Sequence, residues 1–206
     1  MLRIGNVNVY YRVVSTADTA RRRRGAELES ALHEATLAEL AEAGYGRLTM
    51  EGVAARAHTG KAAVYRRWST KQALVLDALV YSLPALPGFD PRIPARENLR
   101  AVYTVLCQVF SGGTRFPALP VIAGMLADPA LRECFVDAIV RPRFAVIESI
   151  LEHAEQTGEI GPGTLSPMAV QTGPALIMQA FLLTGHSPGA AEIEQILDAV
   201  LNRPGA

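Results

Sequence analysis

Four cations, a tyrosine and a tryptophan crowd residues 61–71, KAAVYRRWSTK. At this density lysine and arginine offer contacts to phosphate, and an arginine fork can also read a guanine edge. Ala62 and Ala63 are small enough for a helix carrying them to press close to bases, where a methyl group can meet a thymine methyl. Gly60 and Lys61 stand where free backbone N–H groups and the positive end of a helix dipole favour phosphate. Such chemistry needs a short rigid helix held proud of a scaffold, and residues 44–71 supply one. Thr49 caps a first helical pattern whose apolar side is Val53, Ala54 and Ala57. The stretch Ala57-His58-Thr59-Gly60 breaks the period, and Lys61 to Trp68 predicts a second helix of about two turns. Two helices across so tight a turn make a helix-turn-helix, whose second helix can enter the DNA major groove.

Roles follow from position. Lys61 and Lys71 are expected on phosphate, Thr49 on the backbone at the start of the preceding helix, and Tyr65 on the groove or a phosphate. Arg66 is expected on a base edge. The angular position of Arg67 favours phosphate, and Trp68 reads as a core aromatic. The Ala pair offers few hydrogen bonds, so sequence choice would lean on Lys61, Arg66 and DNA shape.

The chain has 206 residues and no net charge. Its charge is nonetheless unevenly spread. Residues 21–71 hold ten Lys/Arg against six Glu, whereas residues 72–206 hold eight Arg against thirteen acids. A basic head on an acidic body fits one face meeting phosphate while the rest stays clear of it. Half of the residues are hydrophobic, mostly Ala, Leu and Val, which suits a helical protein with ample core. Cys107 and Cys134 show no metal-ligand spacing, so no metal and no cofactor are expected, and reduced thiols fit the cytoplasm. No run approaches the ~20 apolar residues of a membrane helix, and no signal peptide is evident.

Helical periodicity then runs the length of the chain. Residues 1–24 read as a flexible basic arm ending in Arg21–Arg24, and residues 25–82 as the head. The first strong helix is expected over Ala26–Ala43, stopped by Gly44, and a fourth helix from Ser69-Thr70-Lys71 to Ser82. Pro84, Pro87, Pro91 and Pro94 form a breaker-rich link. Residues 95–202 read as a larger helical domain, with helices over Arg96–Phe110, Leu119–Ala127, Pro129–Thr157, Ser166–Thr184 and Ala190–Leu201. Pro142 predicts a kink or break in the long one.

Ser166–Thr184 is apolar all round, more than one domain face can cover, so it and the last helix are expected to pair with a second copy. Tyr103, Cys107, Phe110, Phe116, Met125, Phe144, Met178 and Phe181 are candidates to line a cavity for a mainly apolar ligand, with His153 and Gln171 as polar anchors.

Residues 26–80, with GYGRLTMEGVAARA-x-TGKAAVYRRWSTK at their centre, closely resemble the TetR family of bacterial transcriptional regulators. Arg141-Pro142-Arg143, Gly158-Glu159-Ile160, and Gly173-Pro174 with Leu183-Thr184-Gly185 resemble its ligand-binding region more loosely. The resemblance implies an all-α homodimer: a three-helix head with a helix-turn-helix, plus a larger helical ligand-binding and dimerisation domain. It implies repression of a double-stranded operator, relieved by a small-molecule effector, and phosphate contacts at Thr49, Tyr65 and Lys71. His58 departs from the pattern, because relatives usually carry Gly where this turn favours positive φ. Catalysis is not expected: Gly60-Lys61 lacks the spacing of a phosphate loop, and the four histidines are scattered. The rival reading is a helical protein-interaction module with a degenerate DNA-binding head.

Overall fold

The computed structural model describes residues 16–112 and 114–201, with side chains from Gly25 onward. Ten α-helices follow one another, and no strand occurs among the described residues. The head comprises α1 (Thr16–Arg47), α2 (Met50–Arg56), α3 (Lys61–Tyr65) and α4 (Lys71–Ser82). The remainder comprises α5 (Ala95–Phe110), α6 (Ala118–Ala127), α7 (Pro129–Phe135), a π-turn at Val136–Val140, α8 (Arg141–Thr157), α9 (Pro167–Thr184) and α10 (Ala190–Leu201).

Local chemistry sets most of these ends. Thr49, Thr70, Asp128 and Ser166 cap α2, α4, α7 and α9, each side chain accepting a backbone N–H of the first turn. Gly158 and Gly185 close α8 and α9 in the left-handed region. Three expectations need correction. Residues 16–24, assigned to a flexible arm, are the opening turns of α1; residues 1–15 and the contacts expected of Arg21–Arg24 lie outside the described residues. The second helix of the helix-turn-helix spans five residues rather than two turns. Its chain tightens after Tyr65, where Arg67 N–H donates to Val64 C=O, three residues back, at 2.9 Å. Around Pro142 the helical run is not broken. Arg141 N–H instead reaches back five residues to Val136 C=O, a π-turn placed just ahead of the residue that lacks an N–H.

Two apolar clusters form. One joins α1–α4 to α6 and α7, through residues such as Leu32, Leu40, Tyr45, Val53, Val64, Trp68, Leu131 and Phe135. The other joins α5, α8, α9 and α10 through Leu99, Tyr103, Ile147, Leu151, Ile177 and Leu197. The helices α6 and α7, which follow the proline link, therefore share the head's core. The link itself is pinned by Asn98, whose Nδ2 donates to Asp90 C=O at 2.9 Å and whose Oδ1 accepts Asp90 N–H at 3.0 Å.

Tyr103 is fully buried and sits against Gly173, where a Cβ would stand 2.2 Å from its Cζ and Oη. Its hydroxyl has no hydrogen-bond partner, and burial holds the phenol well above its ordinary range. Gly173→Ala is therefore expected to destabilise by about 2 kcal/mol or more through overpacking. Tyr103→Phe should stabilise by about 1 kcal/mol at neutral pH, because an unsatisfied buried hydroxyl is removed. A phenol with a raised folded-state value loses stability as pH climbs past its unfolded value of 10.0. The phenylalanine variant should accordingly lose less stability above that pH, read by urea denaturation at pH 7 and in the alkaline range.

Candidate nucleic-acid interface

The helix-turn-helix is built as a ledge. Thr49 Oγ1 accepts Gly52 N–H at 3.0 Å, starting α2, whose Val53 and Ala54 are buried in the head core. His58 carries the turn at φ 52°, the single non-glycine residue with positive φ among the described residues. The turn does adopt the geometry that favours Gly, at a steric cost of about 1–2 kcal/mol for a residue with a Cβ. Val64 anchors α3 from below with no exposure, and Trp68 lies buried beside it, donating Nε1–H to Asp77 Oδ2 at 2.9 Å.

Above that anchor, Thr49, Gly60, Lys61, Ala62, Tyr65 and Arg66 are exposed, and Arg67 and Lys71 are half-buried. Ala63 is 8% exposed and faces the core with Val64, so its methyl is unavailable to bases; this corrects its place in the candidate set. The error is one of phase: successive helix residues are about 100° apart, and the rotation of α3 that buries Val64 carries Ala63 inward with it while leaving Ala62 outside. At five residues α3 also carries little dipole, so holding phosphate falls to side-chain cations rather than to its N-terminus at Gly60 and Lys61.

Electrostatics divide the head's cations into two sets. Arg56 is consumed internally, bonded through Nε to Glu39 at 2.8 Å and through its guanidinium to Glu42. Among the described residues no acid lies within ion-pair distance of Lys61, Arg66, Arg67 or Lys71. Arg67 Nη1 donates to Ala63 C=O at 3.1 Å, which braces it along α3. Lys71 Nζ donates to Tyr45 C=O at 3.0 Å and rides 4.3 Å above the Tyr45 ring, so it is tethered as well as charged. Tyr65, 48% exposed, donates its hydroxyl to Glu51 at 3.0 Å, and that carboxylate raises its pKa. Arg47 is a further cation of the head without an acid among the described residues: exposed and two residues ahead of Thr49, it donates Nε–H to Ala43 C=O at 3.0 Å. Sequence reasoning passed over it because it lies outside both helices of the motif, though its nearness to the Thr49 cap was a usable signal.

The expected ligand cavity is not assembled. Phe116 and Met125 belong to the head-side cluster, Tyr103, Cys107 and Phe144 to the other, and Phe110 packs against both. Phe181 packs against the head-side cluster, its ring 5.1 Å from that of Phe110. The His153 ring lies 5.3 Å from that of Phe89, tilted by 60°. Gln171 and Met178 point outward, because α9 turns Ala169, Val170, Gly173 and Ile177 inward. One cleft of about 480 Å³ opens between α5 and the start of α10, bordered by Arg100, Thr104, Gln108, His186 and Glu194, and another of about the same volume lies between Tyr45, Lys71 and α6. Cys107 stands at the wall of the first, its thiol pushed up to about 11 by burial and by the charge of Glu192. Among the described residues no helix is long and apolar enough to cross a membrane.

The profile described as "Bacterial regulatory proteins, tetR family" matches residues 32–78, and that described as "Tetracyclin repressor-like, C-terminal domain" matches residues 94–200. The chain belongs to the TetR family. It is a TetR-family helix-turn-helix transcriptional regulator by fold and by motif. It is 45% identical over 190 residues to the DNA-binding transcriptional repressor TetR of Mycobacteroides abscessus, covering 89% of this chain and 98% of that one. An uncharacterised HTH-type transcriptional regulator of Mycobacterium tuberculosis is 29% identical over 173 residues, covering 84% and 85%. Among solved structures, a TetR family transcription regulator named SCO0332 matches with TM-score 0.61 at 22% identity, covering 87% of this chain and 100% of that one. The flavonoid-responsive regulator FrrA matches with TM-score 0.60 at 20% identity, covering 86% and 94%.

The opposite facing of the two alanines can be tested directly. Ala63→Leu is expected to cost about 1–3 kcal/mol of stability by overpacking the head core. Ala62→Leu should leave stability within about 0.5 kcal/mol. Thermal melts of the two variants, set beside their duplex binding, give the comparison: Ala62→Leu should lose binding while melting like the parent.

Proposed function

We propose that the protein is a homodimeric repressor that grips an operator through paired heads and is released from it by a small molecule. It works by binding rather than catalysis, in the cytoplasm beside the chromosome. The observation that carries this reading is the row of cations without acids on the outward side of the helix-turn-helix, Lys61, Arg66, Arg67 and Lys71, with Arg47 two residues ahead of the Thr49 cap. Elsewhere in the head, Arg56 shows what a structural arginine does here, since it takes two carboxylates. Unpaired charge on one face, over a filled core, suits phosphate.

The dimer is supported by α9. Met168, Ala175, Met178, Leu182 and Leu183 are exposed, with Met168 at 62% and Leu183 at 77%, and Gln171 lies in the same stripe. Spacings of three and four residues put 168, 171, 175, 178 and 182 on one side of the helix. An apolar stripe of this length on a single chain calls for a partner, and a second copy satisfies it with two-fold symmetry. The outer side of α10 is more polar, bearing Glu192, Gln195 and Asp198, so α9 would supply most of the apolar contact. Two heads would then meet half-sites about 34–36 Å apart.

Gel shift against the promoter beside the gene is the first measurement, and absence of binding to any duplex at low salt would favour the protein-interaction module instead. Lys61→Ala should weaken binding to all sequences alike and lower the salt slope by about one unit for each head. Arg66→Ala should change base preference in a selection of bound duplexes. Leu182→Glu should convert dimers to monomers in light scattering, since a carboxylate would be desolvated within the stripe.

A further inference from the structure

Residues 44–71 hold six cations and a single acid, Glu51. Elsewhere in the head, carboxylates serve internal partners. Glu39 and Glu42 hold Arg56, Glu34 meets Arg115, and Asp77 accepts Trp68 Nε1–H and bonds His33 Nε2. Glu51 is different. It is exposed, and among the described residues no cation lies within ion-pair distance of it. It accepts instead from a neutral side chain, the Tyr65 hydroxyl, at 3.0 Å. Its helix does not depend on it: Thr49 already caps α2, and a helix of seven residues has little dipole for an acid to complement.

The place of this bond matters. Glu51 lies two residues past the Thr49 cap, and Tyr65 is the last residue of α3, so the bond ties the start of α2 to the end of the outward helix. In a docked helix-turn-helix the N-terminal residues of the second helix meet the bases, while the first helix crosses the backbone. The pair therefore belongs to the phosphate side of the contact. Phosphate oxygens are anionic and only accept, and so are those of a carboxylate. A phenol has one O–H proton to give. While that proton goes to Glu51, Tyr65 turns only lone pairs toward a phosphate, beside a negative charge. The carboxylate also raises the Tyr65 pKa, as an anionic acceptor does for a proton it shares.

We propose that Glu51 is a positioning residue that competes with the operator backbone for the Tyr65 hydroxyl proton, standing in for a phosphate in the free protein. This rests on the operator-binding reading above. DNA must then displace an acceptor already in place before Tyr65 can donate to it. The exchange of one anionic acceptor for another returns little, and the displaced carboxylate stays close to the phosphates. The effect falls on every duplex alike, because it acts through the backbone and leaves base choice to other residues. Glu51 thereby sets how tightly the operator is held without altering which operator is held.

The test compares the full-length parent, Glu51→Gln, Tyr65→Phe and the double variant in fluorescence anisotropy. The probes are a duplex selected by the parent and a shuffled duplex of the same length. Glu51→Gln keeps an oxygen acceptor of the same size and removes the charge. It should bind both duplexes about three- to tenfold more tightly, with their order of preference unchanged. In the Tyr65→Phe background the same change should gain less than about twofold, because no proton is left to compete for. In ring-labelled protein without DNA, the Tyr65 phenol should titrate at a lower pH in Glu51→Gln than in the parent. The proposal is overturned if Glu51→Gln binds no more tightly than the parent, or if Tyr65 titrates alike in both. A changed base preference would overturn it by making Glu51 a reader of base amino groups. A gain that survives in full beside Tyr65→Phe would overturn it in favour of plain charge repulsion. Each of these outcomes for DNA requires a parent that binds; failure of the parent to bind any duplex would instead remove the regulator reading itself.

Discussion

Tyr45 joins the part of the molecule that faces DNA to the part that follows the proline link. Its ring is buried in the head-side cluster, and its Cβ leaves so little room at Gly124 of α6 that an added Cβ there would stand 3.0 Å away. Leu131 of α7 closes the same contact, at 3.3 Å from that position. On its other side the Tyr45 carbonyl and ring hold Lys71. Burial, with the charges of Asp128 and Cys134, pushes its phenol up to about 12, so it stays neutral across the physiological range. One residue therefore fixes where α6 and α7 rest on the head and where a DNA-facing cation is aimed. A shift of α6 toward the head meets the Tyr45 side chain directly at Gly124.

The second organising feature is how the chain distributes its charges. Overall neutrality hides a sorting by partner: in the body, acids take up Arg92, Arg96, Arg100, Arg115 and Arg141, and in the head they take up Arg56. Of the described cations left over, Lys61, Arg66, Arg67 and Lys71 lie on α3 and its flanks, whereas the body leaves only Arg132 and Arg143 without an acid. A polyanion approaching that face finds charge that no internal carboxylate already screens, which favours encounter there over any other side.

Much of this was readable from residue types alone, wherever the cause was local. The cap at Thr49, the break at Gly44 and the limits of α10 depend on a few neighbouring residues, and the structure agrees with the expectation at each. The strained turn at His58 was likewise visible, because few residues tolerate that backbone geometry. What escaped was set by tertiary placement. That Ala62 faces out and Ala63 in depends on how α3 is rotated against the head. That Phe116 and Met125 join one cluster while Tyr103 and Phe144 join another depends on which helix each layer meets. All are apolar residues on amphipathic helices, and the pattern does not say which neighbour they will find. Gln171 and Met178 were placed inward for the same reason, and the inner side of α9 proved to be Gly173 and its four-residue relatives.

The π-turn at Val136–Val140 has a geometrical consequence for the rod formed by α7 and α8. Leu131, Phe135, Ile139, Arg143, Ile147 and Leu151 recur at strict four-residue intervals, and all but the half-buried arginine are buried. An ordinary α-helix turns about 40° too far at each such step, so over five steps the row would wind about 200° round the rod and end up in water. The wider turn, with its five-residue bond, takes back part of that winding. The rod can then set Leu131, Phe135 and Ile139 in the head-side core and Ile147 and Leu151 in the other, so that one unbroken helical run serves both.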